Sequence, residues 1–253
     1  MDGVLYRDTE VIPGAPEFIR QLQEEGIPFV LLTNNSTKTP KQYAEKINAM
    51  GIHVDESQVL TSALATAAYL LEAIGVAGRI YVIGEDGIIE ALKNAGFTLV
   101  DDHSQAQCVV VGLDRQLTFA KLQTAALAIR NGARFIGTNP DRTLPTPMGL
   151  IPGNGAILAA LAAATDVNPF VIGKPQSPIF RWAVSRLGLP IETVACLGDR
   201  LETDILGGAQ AGLTTVFVLS GVSSAEELSH FQPRPDAVFA DTAELLAAWR
   251  HRR

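Results

Sequence analysis

The sequence predicts an α/β fold, with a mainly parallel sheet in a core domain that a second α/β domain interrupts. Three observations predict it. Short apolar runs alternate with helical patterns, as they do when strands and crossover helices take turns. Several of the apolar runs end abruptly in polar residues, as strands do at the ligand-binding edge of an open sheet. One alternating pattern stops near residue 78, a new one runs to about 169, and the first then resumes.

The elements follow in order. Residues 16–25 read as a helix, with Phe18, Ile19 and Leu22 on one face and Gly26 to end it. Residues 28–33 read as a buried strand running into Thr33-Asn34-Asn35-Ser36. Pro40 opens the next helix at a first-turn position that needs no N–H donor. A strand at 59–61 and a helix at 63–74 complete the first segment. The insert has strands at 80–83, 108–111 and 134–136 and helices at 87–95, 119–131 and 155–164. The first pattern returns with a strand or turn at 170–173, a helix at 178–187 and strands at 194–197 and 215–219. The expected division is a core domain of residues 1–77 and 170–253 with a cap domain of 78–169.

Composition narrows the function. The chain has 253 residues, 47% of them hydrophobic and 19% charged, which excludes a disordered chain. The net charge of −7 leaves no basic field for nucleic acid or an anionic membrane, though it allows a local phosphate site. The greasiest stretch, 155–164, is half the ~20 residues of a membrane span. With no leader pattern in view, the expectation is a soluble, cytoplasmic protein. Cys108 and Cys196 lie far apart in apolar runs and read as small buried hydrophobes. None of His53, His103, His230 and His251 has metal or triad spacing.

Candidate chemistry sits after the strands. Thr33 and Asn34 can donate to phosphate oxygens, or can simply cap a turn. Asp199 and Asp204 follow the apolar run 194–197 and Gly198, so both can face one point. Two carboxylates there suit Mg²⁺, or merely complement a helix dipole. Lys174, between Gly173 and Pro175, can pair with phosphate or with those carboxylates, or sit on the surface. Gly84-Glu85-Asp86-Gly87 lacks the Lys-Ser/Thr of a P-loop and reads as a plain turn.

In order, Asp2-Gly3-Val4-Leu5-Tyr6, Thr33-Asn34-Asn35, Gly173-Lys174-Pro175 and Gly198-Asp199-Arg200 with Asp204 resemble the haloacid dehalogenase superfamily of phosphotransferases. The Thr-Asn-Asn tip and Gly137-Thr138-Asn139-Pro140-Asp141 resemble its branch with a C2-type cap, which contains NagD, 4-nitrophenylphosphatase and phosphoglycolate phosphatase. So do Pro145-Thr146 and the run Gly149 to Gly155 that follow. The resemblance implies a Rossmann-like core, an inserted cap and Mg²⁺-dependent hydrolysis of small phosphorylated metabolites through an aspartyl phosphate. It implies that Asp2 is the acid/base and lends its carbonyl to Mg²⁺. Gly3, Thr33, Asn34, Asn35 and Lys174 would then surround the phosphate. Asp199 would hold the metal and Asp204 would orient it. Asn139 and Asp141, on a cap loop, would meet the leaving group or else form an Asx turn. A homodimer stays open, as does the substrate.

The chain departs from the family pattern at its start. The motif is Asp-x-Asp-Gly, and Met1 stands at x. The nucleophilic Asp and the central strand leading to it are therefore expected ahead of Met1. On that reading this is an N-terminally truncated chain with little activity, whose strands ending at Thr33 and Leu197 cannot pair directly. The alternative is a non-catalytic relative that binds a ligand or partner. A two-component receiver also combines acids, Thr and Lys, but the insert and the order Asp, Thr, Lys, Asp argue against it.

Overall fold

The computed structural model describes residues 1–146 and 148–251. The chain divides into two compact units. The first comprises Met1–Leu32, Lys41–Val59 and Lys174–Arg253, and the second Thr33–Pro40 and Leu60–Gly173. This division puts residues 33–40 and 60–77 with the insert, where the sequence pattern set the boundaries at 78 and 169. The reason is packing: the helix Ser62–Ile74 lies against the helix Asp86–Asn94 within the second unit.

Chain order begins with a hairpin, β1 (Tyr6–Arg7) and β2 (Glu10–Val11). Its turn is made by Asp8 at φ 52°, a left-handed conformation that a short polar side chain tolerates. Helix α1 (Ala15–Glu24) buries Phe18, Ile19 and Leu22, the face its spacing predicts. Strand β3 (Leu31–Thr33) is three residues long, where the apolar run 28–33 suggested six. It pairs with β4 (Val59–Thr61), also three residues, so the ladder has no partner for 28–30. Between them, α2 (Pro40–Ala49) buries Tyr43, Ala44 and Ile47.

The second unit carries a five-stranded parallel sheet in the order β11-β8-β7-β5-β6. It runs through α3 (Ser62–Ile74), β5 (Arg79–Ile83), α4 (Asp86–Asn94), β6 (Thr98–Leu99), β7 (Cys108–Val111), α5 (Phe119–Arg130) and β8 (Arg134–Gly137). A hairpin, β9 (Thr143–Thr146) and β10 (Gly149–Pro152), then precedes α6 (Asn154–Thr165) and β11 (Phe170–Val171). The central strand β7 is buried at all four residues, as a parallel strand covered on both faces must be. Its Cys108 thiol is pushed up to about 12 by burial, so it is an inert hydrophobe.

The first unit resumes with α7 (Ser177–Leu187), β12 (Ala195–Gly198), α8 (Leu206–Ala211), β13 (Thr214–Val218), α9 (Ala225–His230), β14 (Ala237–Phe239) and α10 (Thr242–His251). Strands β12, β13 and β14 form a parallel sheet in that order. Among the described residues, β3 and β12 each pair on one side only and do not pair with each other. The main core of this unit joins Val4, Leu5, Ile19, Ile47, Ile52 and Val218. No helix among the described residues is long and apolar enough to cross a membrane.

Phe217 in β13 is fully buried against Leu201 and Ile205. Phe217→Ala should lower stability by about 3–5 kcal/mol, as read by chemical denaturation.

Candidate active site

In the first unit the chemistry gathers where β12 ends. After Gly198 the chain leaves the strand at Asp199 and enters a π-helical turn, Leu201–Ile205, before α8. The turn brings Asp204 back toward the strand: its N–H donates to the Arg200 carbonyl, and its Oδ2 accepts the Arg200 N–H at 3.2 Å. Such wide turns recur at functional sites because they re-aim one side chain. Lys174 Nζ donates to Asp204 Oδ1 at 2.6 Å, with the two side chains 12% and 8% exposed.

Asp199 is 6% exposed and is held by backbone. Its Oδ2 accepts the Val222 N–H at 2.9 Å, and its carbonyl accepts the Ser223 N–H. Two glycines make room for the carboxylate. A Cβ on Gly3 would lie 2.2 Å from Asp199 Oδ2, and one on Gly221 2.0 Å from the same atom. Gly3 also has φ 76°, which an L side chain rarely adopts. The turn carrying Asp2 and Gly3 is closed by Gly3 N–H to the Tyr6 carbonyl, and Ser220 Oγ donates to the Gly3 carbonyl. Asp2 itself is exposed.

The charges are unequal. Burial, then the Asp204 charge, raises the Asp199 carboxyl above the ordinary carboxylate range, against the opposing Met1 ammonium, Val222 N–H and Lys174. Burial pushes Asp204 the same way, but the charge and hydrogen bond of Lys174 outweigh it and hold Asp204 below that range. Burial disfavours the Lys174 cation, yet Asp204 raises it overall. Asp204 therefore adds stability above its unfolded value of 3.8, lost as pH falls through its lowered native one. Asp199 does the reverse: its ionised form costs stability, relieved as pH falls through its raised value toward 3.8.

This donor set fits a small hard cation. Among the described residues the Asp199 carboxylate accepts the Val222 N–H at Oδ2, and burial and the Asp204 charge outweigh the help it receives from Lys174. Among the described residues no three acidic, Cys or His side chains gather into a ready ligand shell. The expected set does not require a side-chain trio, since Asp2 is expected to offer its carbonyl and Asp204, bonded to Lys174, to orient the ion held by Asp199. Asp199 and carbonyl oxygen would hold Mg²⁺, which keeps waters and phosphate oxygens in its remaining positions.

In the second unit, Thr33 Oγ1 accepts the Asn35 N–H, and Asn35 Oδ1 accepts from the Thr37 N–H and hydroxyl. Asn34 Nδ2 donates to both Asp141 oxygens, at 3.3 and 3.4 Å. Asn139 is 4% exposed; its Nδ2 donates to the Asn34 carbonyl, and its Oδ1 accepts the Asp141 N–H. An Asx turn, one of the two arrangements expected from the sequence, is therefore formed, and Asn139 Nδ2 also donates to Thr138 Oγ1 at 3.3 Å. The reading from sequence overlooked Ser220, Gly221 and Val222, although the strand ending at Val218 runs into them just as its neighbours run into polar tips. Ser62 and Asn154 were overlooked too.

Residues 1–98 match the family model described as haloacid dehalogenase-like hydrolase, and residues 171–245 one described as HAD-hydrolase-like. An acid sugar phosphatase of Staphylococcus aureus is 43% identical over 247 residues, covering 98% of this chain and 95% of that protein. The crystal structure of a double mutant of a thermostable NPPase from Geobacillus stearothermophilus is similar with a TM-score of 0.89 at 40% identity, over 96% of this chain and 94% of that one. NagD from E. coli K-12 gives a TM-score of 0.89 at 38% identity, over 96% and 95%.

Lys174→Met should destabilise the protein by roughly 3–5 kcal/mol, because it leaves the buried Asp204 unpaired. Adding Asp204→Leu should recover most of that loss in a thermal melt. Additive losses in the double variant would show that the pair is not coupled.

Proposed function

The chain belongs to the haloacid dehalogenase-like hydrolases, in the NagD and p-nitrophenylphosphatase branch with a C2-type cap, and we propose that it is a Mg²⁺-dependent phosphatase of small phosphorylated metabolites, sugar phosphates among them. The observation that carries this is the buried Lys174–Asp204 pair beside Asp199. A phosphoryl group in transfer spreads negative charge over its oxygens, and positioned cationic groups do most of the catalytic work.

Each residue has a role. Lys174 neutralises charge on the phosphoryl oxygens while Asp204 fixes its ammonium. Thr33 and Asn34 hold phosphoryl oxygens. Bound Mg²⁺, held by Asp199 and the Asp2 carbonyl, would lower the cost of bringing an anionic nucleophile to an anionic ester. Asp2 gives its proton to the leaving alcohol, then takes one from the water that releases phosphate. Gly3 lets Asp199 approach the chain beside Asp2. Asp141, on the cap loop, faces the leaving group.

The nucleophile is proposed to be an Asp ahead of Met1, at the end of a strand between β3 and β12. What supports it is that, among the described residues, each of those two strands pairs on one side only. The acceptor carboxylate would take the phosphoryl group as an acyl phosphate and return it to water.

The test uses p-nitrophenyl phosphate and a panel of sugar phosphates, with and without Mg²⁺. Extending the chain by roughly ten residues, apolar and then Asp, supplies a strand of usual length. It should confer Mg²⁺-dependent hydrolysis, and Asn in place of that Asp should abolish it. Robust turnover by the unextended chain would overturn the proposed nucleophile and leave the phosphatase reading standing. No hydrolysis by either form would overturn the phosphatase reading itself.

A further inference from the structure

We propose that Asn139 and Asn154 are positioning residues for phosphate recognition, fixing the Thr33–Asn34 tip from within the second unit; this rests on the phosphatase reading above. Neither need touch the ester. The Asn34 carbonyl accepts two hydrogen bonds, from Ser62 Oγ at 2.5 Å and Asn139 Nδ2 at 2.9 Å. Asn139 Oδ1 takes the Asp141 N–H at 3.2 Å, and the Asp141 carboxylate in turn takes the Asn34 side-chain amide. One asparagine thus sets both the backbone and, through Asp141, the side chain of the residue expected to bind phosphate.

Asn154 holds Asn139 from the other side. It is 1% exposed at the start of α6. Its Nδ2 donates to the Asn139 carbonyl at 2.8 Å, the Val111 carbonyl at 3.1 Å and Thr138 Oγ1 at 3.4 Å. Its own Oδ1 is buried without a hydrogen-bond partner. A side chain kept only for stability would not leave a buried acceptor unsatisfied, because that is costly. An apolar residue would fill the space without the orphan. The amide is there for its donors, and the donors end on the peptide that orders the tip. Thr138, fully buried, bonds Ser36 Oγ at 3.1 Å and ties the far side of the tip to the same strand end.

Binding phosphate oxygens alike in the ground and transition states is uniform binding, so its loss appears in KM and not in kcat. The test compares Asn154→Ala and the isosteric Asn154→Asp, whose carboxylate would face the Asn139 and Val111 carbonyls, with Leu161→Ala. Leu161 is on the same helix, 1% exposed in the apolar core. Two quantities are read in each variant, made in the chain extended as above: KM and kcat for p-nitrophenyl phosphate, and amide exchange at Asn35 and Thr37 against Val109–Val111. The Asn154 variants should raise KM about tenfold, the factor for losing one well-made hydrogen bond, with kcat unchanged within about twofold. Exchange should quicken at Asn35 and Thr37 and not in β7. Leu161→Ala should lower stability without the KM shift. Unchanged KM with unchanged exchange at the tip would overturn the proposal, as would an identical pattern in Leu161→Ala. Absence of turnover in the extended, otherwise unsubstituted protein would instead overturn the phosphatase reading, and exchange at the tip would decide the positioning role alone.

Discussion

The first unit is organised around a charge problem: two carboxylates, Asp199 and Asp204, are buried near one another with one lysine between the demands of both. Lys174 resolves half of it. By bonding Asp204 it keeps that acid ionised and itself charged in a place where burial opposes both. Asp199 accepts the Val222 N–H and gains from the Lys174 charge, but burial and the Asp204 charge outweigh these and raise its carboxyl. A buried ion pair is weak support for a fold, because packed apolar residues do as well. Its presence here is better explained by a ligand that needs a fixed cation next to an unsatisfied carboxylate.

That arrangement depends on small residues and backbone more than on side chains. Gly3 and Gly221 leave space that any Cβ would occupy, and Val222 supplies the one hydrogen bond to the Asp199 carboxylate. The π-helical turn after β12 aims Asp204 at Lys174. The site therefore tolerates little change at positions that carry no reactive group.

Much of this was legible in the sequence, for a physical reason. Parallel strands are buried on both faces, so they appear as continuous apolar runs, and the polar residues that interrupt them mark the ligand edge. Thr33 and Asp199 stand out in that way and Lys174 by its setting between Gly and Pro, while the tip at 138–141 stands out only by its resemblance to the family. What was not legible depends on pairing at a distance. The strand expected at 28–33 is three residues long, like β4, the strand it pairs with among the described residues. The β9–β10 hairpin carries Pro145 and Pro152, which argue against strands unless the ribbon is an edge. Ser62 and Asn154 matter through partners 28 and 15 residues away, and no local pattern marks them. For Asn139 the sequence leaves a ligand contact and an Asx turn equally open, because its burial and bonds depend on residues far along the chain.

The central claim is that Asp199 is a desolvated, under-compensated carboxylate awaiting a cation. The most direct measurement is the titration of its side-chain carboxyl by ¹³C NMR with and without Mg²⁺. The account predicts an apparent pKa above the ordinary carboxylate value without Mg²⁺, falling when Mg²⁺ is added, since a bound cation favours the charged form. Titration in the ordinary range, indifferent to Mg²⁺, would contradict it.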